Sequence, residues 1–184
     1  LHKEYRRQRQ MCIRDSNKTE RKVIILEQKT NVMRILDKNK IKYKEHSYLD
    51  TDAVSGIEVA QALGQNPEQV FKTLVTTSPK SKKYYVFMIP VAEELDMKKA
   101  AKAVGEKSIE MIKSKDLLPI TGYVHGGCSP IGMKKQFVTT IHITAEDFET
   151  ILFSGGKIGY QVELSLSDLQ KIVRISTADI IVDL

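Results

Sequence analysis

Phe71-Lys72-Thr73-Leu74-Val75-Thr76-Thr77 and Tyr84-Tyr85-Val86-Phe87-Met88-Ile89-Pro90-Val91 decide the architecture. Both runs are apolar and rich in β-branched and aromatic residues, which fit a pleated, buried surface. The stretch between them, Ser78-Pro79-Lys80-Ser81-Lys82-Lys83, is polar. Two such runs around a polar connection predict a β-hairpin.

Helical signals flank this hairpin. Upstream, Thr30 is placed as an N-cap, and Val32, Ile35, Leu36 and Asn39 follow helical spacing over 31–39. Ile41 to Tyr48 alternates as a strand. Ser55-Gly56-Ile57-Glu58 has the capping-box pattern, which predicts a helix through Leu63 stopped by Gly64. Asn66-Pro67 is a second helix start, with proline at the first helical position. Downstream, Asp96 caps a helix through Val104, ended by Gly105, and Ser114 caps a short one before Pro119. Gly122, Gly126, Gly127, Pro130 and Gly132 make 121–137 a shaped loop region. Phe137 to Thr144 reads as a strand. Ile151–Phe153 and Tyr160–Leu164 are strands around Ser154-Gly155-Gly156-Lys157-Ile158-Gly159. Ser167 opens a helix, and Ile172 to Ile175 is a last strand. Strands and helices are interleaved with hairpins. The expectation is one α/β domain with a mixed sheet or a partly closed barrel.

The chain of 184 residues is long enough to bury a core without a metal or disulfide staple. Its two cysteines, Cys12 and Cys128, exclude a disulfide scaffold. No apolar run approaches the length of a bilayer span, so no membrane association is expected. The net charge of +6 is uneven. Residues 1–22 hold eight Lys/Arg against three acids, and 23–184 hold 21 against 20. Residues 72–135 hold twelve lysines against six acids, a surplus that can face a polyanion or simply solvent. The segment 1–22 lacks an apolar stretch of the secretory kind, and Met11–Ser16 looks like translated adapter sequence. It is expected to be a disordered or artefactual basic tail, with the domain over 23–184. Free cysteine use and the missing export signal favour the cytoplasm as the expected location.

His2, His46, His125 and His142 show no metal-ligand spacing with one another or with cysteine, so no metal site and no cofactor is expected. Cys128 stands on a glycine loop near His125, the setting of a thiol nucleophile. No orienting partner is readable, and a small residue packed behind a tight loop is preferred. Lys72 lies where a helix gives way to an apolar strand, a place from which an ammonium holds a phosphate or polarises a carbonyl, or else reaches solvent. The glycine pairs Gly126-Gly127 and Gly155-Gly156 let a backbone approach a ligand, or serve turn geometry alone.

Taken together, Val70-Phe71-Lys72-Thr73-Leu74, Gly122-Tyr123-Val124-His125-Gly126-Gly127-Cys128-Ser129-Pro130-Ile131-Gly132 and Ser154-Gly155-Gly156-Lys157 resemble the YbaK/EbsC family. These are free-standing aminoacyl-tRNA deacylases related to the editing domain inserted in bacterial prolyl-tRNA synthetases. The resemblance runs in order from about Thr30 to Asp183. It implies an α/β, single mixed-sheet, barrel-like editing domain with flanking helices. The implied substrate is the acceptor end of mischarged tRNA, chiefly cysteinyl-tRNA(Pro) and also cysteinyl-tRNA(Cys), edited in trans beside prolyl-tRNA synthetase.

In the same way it implies site residues. Lys72 matches the functional lysine that holds the terminal nucleotide and its phosphate. Gly126 matches the glycine whose backbone approaches the ester, and Ser154 the serine before the second glycine pair. Tyr48 and Phe71 match aromatic positions beside the pocket. Thr73, Gly127, Ser129, Pro130, Gly155, Gly156 and Gln161 are placed against the substrate. Many relatives carry Asp where this chain has Gln161, so one charge is missing.

In the family's mechanism the substrate's own cysteine thiol attacks the ester carbonyl and releases a cyclic thiolactone. Such an enzyme needs orientation and polarisation rather than a side-chain nucleophile. Other readings stay open at this point. A sister enzyme would hydrolyse alanyl-tRNA(Pro) with water, a non-catalytic module would bind tRNA only, and a thiol enzyme would use Cys128.

Overall fold

The structure, a computed structural model, describes residues 29–183. The segment 1–22, with Cys12 and His2, lies outside the described residues. The central hairpin forms as its composition demands: β2 (Phe71–Thr77) pairs antiparallel with β3 (Tyr84–Pro90) in register Phe71↔Pro90 through Thr77↔Tyr84. Helix α1 (Asn31–Lys38) and strand β1 (Lys44–Ser47) precede it. β1 is shorter than the alternation predicted, because only these residues find partners on β7 (Tyr160–Leu164). Helix α2 (Gly56–Ala62) carries the predicted capping box in full: Glu58 N–H donates to Ser55 Oγ, and Ser55 N–H to Glu58 Oε2. Asn66-Pro67 opens only a turn, with Gln69 N–H bonded to Asn66 O and Val70 N–H to Pro67 O before β2 begins.

Beyond the hairpin, Asp96 Oδ1 accepts from Lys98 and Lys99 N–H and starts α3 (Met97–Ala103). The two-residue strand β4 (Glu110–Met111) was not anticipated; it is too short to leave a periodic signal. Helix α4 (Ser114–Thr121) runs through Pro119 instead of ending before it. Thr121 Oγ1 donates to Leu117 O and Gly122 N–H to Leu118 O, which carries the last turn past the proline. Strand β5 (Val138–His142) gives way to a 3₁₀ turn at Ile143–Asp147, then β6 (Ile151–Ser154) and β7 follow. Ser165, not Ser167, caps α5 (Leu166–Gln170). The last strand, β8 (Ile175–Ala178), starts later than predicted, because Ile172 and Val173 bond back to Leu169 as a turn.

The expected single barrel-like sheet is corrected. The strands form two open sheets, β1-β7-β6 and β4-β2-β3-β5-β8. The first is antiparallel; in the second, β5 runs parallel to both neighbours. One parallel bridge, Val70 to Leu152, joins the residue before β2 to β6, and this single point does not close a barrel. What the residues do form is a mixed α/β domain with five α-helices among the described residues.

β3 shows why its run is continuously apolar. Val86 and Met88 enter the main core with Val32, Leu36, Phe71, Val75 and Phe153, while Tyr85, Phe87 and Ile89 pack on the other face against α3 and Ile180. A strand covered on both faces has no solvent side for polar residues. Each fully buried aromatic such as Phe87 or Phe153 contributes about 1.5–3 kcal/mol of transfer free energy.

Candidate active site

Where the two sheets meet, a cavity of about 540 Å³ opens beside the first half of β2. Four parts of the chain build its wall. β2 supplies Phe71, Lys72 and Thr73; α2 and its cap supply Ser55, Gly56 and Ile57; the β4–α4 corner supplies Met111, Ile112 and Ser114; the glycine loop supplies His125, Gly126 and Cys128. Tyr48, Ser154, Tyr160 and Gln161 complete it from the small sheet. Seven of the site residues that the resemblance implies therefore meet around one space: Tyr48, Phe71, Lys72, Thr73, Gly126, Ser154 and Gln161.

Lys72 is half-buried, and its Nζ donates to Val91 O at 3.2 Å. Burial pulls its ammonium below the ordinary lysine range, against the smaller upward pull of Glu94 and Glu93. A cation short of solvent and of close carboxylate partners is poised to accept an anionic or strongly polarised oxygen. Gln161 is only 5% exposed, and its Oε1 accepts from Gln65 Nε2 at 2.9 Å. A neutral amide so held meets the cavity without adding charge, where a carboxylate would repel an anion.

The glycine pairs divide. Gly126 lines the cavity at φ +84°, a left-handed conformation that favours glycine. Gly127, Ser129, Pro130, Gly155 and Gly156 are not among the lining residues. A Cβ on Gly127 would stand 3.2 Å from Ile158 N, and one on Gly155 3.2 Å from Tyr160. Their smallness lets the glycine loop, the 155–159 turn and β7 pack backbone to backbone. Ser129 is fully buried and its Oγ accepts from Ile131 N–H. Ser154 Oγ accepts from Gly156 N–H at 3.2 Å, which ties the cavity wall to this turn.

Cys128 lines the cavity but is no activated nucleophile. Burial pushes its thiol up to about 12, far outweighing the opposing hydrogen bond with Thr121. At neutral pH it stays protonated, and a thiol is a poor nucleophile. Among the described residues no group of three or more His, Cys, Asp or Glu stands placed to hold a metal ion. None of the helices there is long and apolar enough to cross a membrane.

Sequence reasoning missed the contribution of α2 and of the β4–α4 corner. The capping box was visible, but nothing in Ser55-Gly56-Ile57 says which way the helix faces. Its approach depends on Gly56, where a Cβ would lie 2.6 Å from Val91 Cγ1.

The comparisons with known proteins agree with this geometry. The family model for the aminoacyl-tRNA editing domain matches residues 51–172, which span most of the cavity wall. The chain belongs to the aminoacyl-tRNA editing domain family. A relative from Enterococcus faecalis, EbsC, is 47% identical over 140 residues, 76% of this chain and 85% of its own. Its name describes a Cys-tRNA(Pro)/Cys-tRNA(Cys) deacylase. Two solved structures share the fold. The hypothetical protein APE2540 superposes with a TM-score of 0.75 at 18% identity, over 83% of this chain and 100% of that one. A protein described as a trans-editing enzyme for prolyl-tRNA synthetase superposes with a TM-score of 0.68 at 22% identity, over 77% and 87%.

Proposed function

We propose that this editing-domain protein deacylates mischarged aminoacyl-tRNA, with cysteinyl-tRNA(Pro) as its chief substrate and cysteinyl-tRNA(Cys) also cleaved. One observation carries the reading: a cavity that joins a half-buried ammonium, Lys72, to a glycine backbone, Gly126, and whose cysteine, Cys128, is not activated as a nucleophile. The 47% identity to a protein named for this activity supports it.

The chemistry follows from what the wall lacks. The substrate's thiol sulfur attacks its own ester carbonyl carbon. A carbon–sulfur bond forms, the bond to the ribose oxygen breaks, and the thiol proton is made good on that oxygen. The products are a cyclic thiolactone and free tRNA. The protein has to fold the cysteinyl group toward its carbonyl and stabilise charge on the oxygens, work that geometry and dipoles perform. Lys72 holds the terminal nucleotide through its phosphate, Gly126 and Ser154 border the ester, and Tyr48, Phe71, Thr73 and Gln161 shape the pocket. The exposed Lys113 and Lys115 flank the wall residue Ser114 and meet the acceptor stem's phosphates.

A second site of this kind is needed because a pocket built for a small amino acid rejects near-isosteres poorly. The protein acts in trans in the cytoplasm, beside prolyl-tRNA synthetase. The test is deacylation of cysteinyl-tRNA(Pro) and alanyl-tRNA(Pro), with Lys72→Ala as control. Loss of cysteine that depends on Lys72 is expected. Loss of alanine alone would point to hydrolysis by water, and cleavage of neither to a tRNA-binding module.

A further inference from the structure

Strand β2 is fully paired on one side only. Toward β3, Ser78 N–H donates to Lys83 O at 2.9 Å and Val91 N–H to Val70 O at 2.8 Å. With the register Thr76↔Tyr85, Leu74↔Phe87 and Lys72↔Ile89, the even-numbered residues exchange their main-chain bonds with β3. The odd-numbered residues direct N–H and C=O to the opposite edge. There Leu152 N–H bonds to Gln69 O at 3.0 Å and Ile112 N–H to Val75 O at 3.3 Å. β4 pairs only with Thr76 and Thr77, and the chain then leaves the sheet into α4. Between these two contacts Thr73 finds no main-chain partner on this edge among the described residues.

The cavity fills the vacant position. Every residue from Val70 to Val75 lines it. Successive strand side chains point to opposite faces, so a space that meets them all lies against the strand's edge, not against one face. Thr73 Oγ1 is also buried without a hydrogen-bond partner.

We propose that the vacant strand position at Thr73 receives the aminoacyl group itself: its α-ammonium donates to the Thr73 carbonyl, and its ester carbonyl oxygen accepts from Thr73 N–H. The inference rests on the deacylase reading and adds where the ester is held. An aminoacyl ester is one residue of chain, with a nitrogen donor and a carbonyl acceptor on one α-carbon. That is the pair of groups a strand residue offers across a hydrogen-bonded antiparallel position. Thr73 N–H then points at the oxygen that becomes negative when sulfur adds to the carbonyl, and its bond strengthens in the transition state. Atoms shared by every amino acid are held by main chain, and selection among side chains falls to the cavity walls.

Thr73→Pro removes the N–H and leaves the β2–β3 ladder intact, as proline is tolerated where a strand edge needs no donor. Loss of roughly 100-fold in kcat/KM on cysteinyl-tRNA is expected, the scale of one oxyanion donor. Thr73→Val, which replaces the hydroxyl with a methyl and keeps the N–H, is expected to lose less. A folded Thr73→Pro protein with unchanged kcat/KM overturns the proposal. Should that variant fail to fold, the α-hydroxy acid analogue of threonine at position 73 keeps the side chain and deletes the N–H, with the same two outcomes. 3-Mercaptopropionyl-tRNA, which lacks the α-amino group, is expected to react more slowly than cysteinyl-tRNA in the wild type; equal rates overturn the ammonium contact. Wild-type inactivity on every ester would refute the deacylase reading instead. The pairing is then read from binding of 3′-cysteinylamino-3′-deoxyadenosine: a downfield shift of the Thr73 amide proton supports it, and an unmoved resonance or no binding overturns it.

Discussion

The Lys72 ammonium lies 3.2 Å from the carbonyl oxygen of Val91, one residue past the end of the β2–β3 ladder. That carbonyl orients the ammonium at the cavity wall without neutralising it. Burial already disfavours the charge, so Lys72 is held at a cost to the fold. Lys72→Met, which keeps the apolar stem, is expected to abolish deacylation while folding stability stays equal or rises. Single-turnover kinetics and urea denaturation check the two halves. The sign for pH follows: a depressed ammonium pKa makes activity fall on the alkaline side at lower pH than an ordinary lysine would. A pH–rate profile of wild type shows where.

Cys128 is expected to resist iodoacetamide at neutral pH. Its thiol is pushed up to about 12 by burial, and little thiolate is present to react. Peptide mass analysis after alkylation reads the modification at that residue. Rapid carbamidomethylation of Cys128 with parallel loss of activity would restore the thiol-enzyme reading.

Gly156→Ala is expected to destabilise by about 1–3 kcal/mol. The added Cβ would stand 2.6 Å from Val32 Cγ2, on a backbone at φ +86°. Gly126→Ala meets nothing closer than 3.7 Å, so strain at its positive φ alone remains, about 1–2 kcal/mol. Its larger effect is expected on kcat, because Gly126 faces the cavity. Chemical denaturation of both variants separates packing from catalysis.

Ser55→Ala removes half of the capping box of α2, and is expected to cost about 1 kcal/mol. Ser55, Gly56 and Ile57 all line the cavity, so fraying of this turn is expected to raise KM as well. Ser55→Asp, which keeps an N-cap acceptor, is expected to restore most of the stability.

Glu163 accepts from Thr150 Oγ1 at 2.7 Å and lies 2.7 Å from His46 Nε2. Burial pushes its carboxyl up, but these bonds and the charges of Lys44 and His46 outweigh it and hold the group below the ordinary range. A carboxylate with a lowered native pKa stabilises the fold above its unfolded pKa. That contribution is lost as pH falls through the native value. Glu163→Gln is therefore expected to lower Tm at pH 7 and to flatten the decline of Tm in acid. Thermal melts from pH 7 to acid decide it; parallel curves for the two proteins would remove Glu163 from the account.

Much of this molecule was legible as text because its determinants are local. The β2–β3 hairpin, the Ser55 capping box and the Asp96 cap each follow from a few adjacent residues, and the structure places them within a residue or so. Lys72 was conspicuous as a lone cation at the head of an apolar strand, and Gly126 as half of a glycine pair. Elements that depend on partners were less legible. Asn66-Pro67 has the chemistry of a helix start, but Leu152 binds Gln69 there and draws the chain into β2. Gly127, Gly155 and Gly156 could serve a ligand or a turn with equal ease until Ile158, Tyr160 and Val32 were seen in the way.

Periodicity, caps and turn residues determine from sequence alone that this is an α/β domain built on one central hairpin. They also bring out Lys72 as a cation at the head of an apolar strand. Whether the strands close into one sheet or remain two depends on long-range pairing, here a single bridge between Val70 and Leu152, and no local pattern encodes it. The same holds for the cavity. Ser114 turns the chain away just where β4 would have covered Thr73, and that vacancy exists only once residues some forty positions apart in the chain lie side by side.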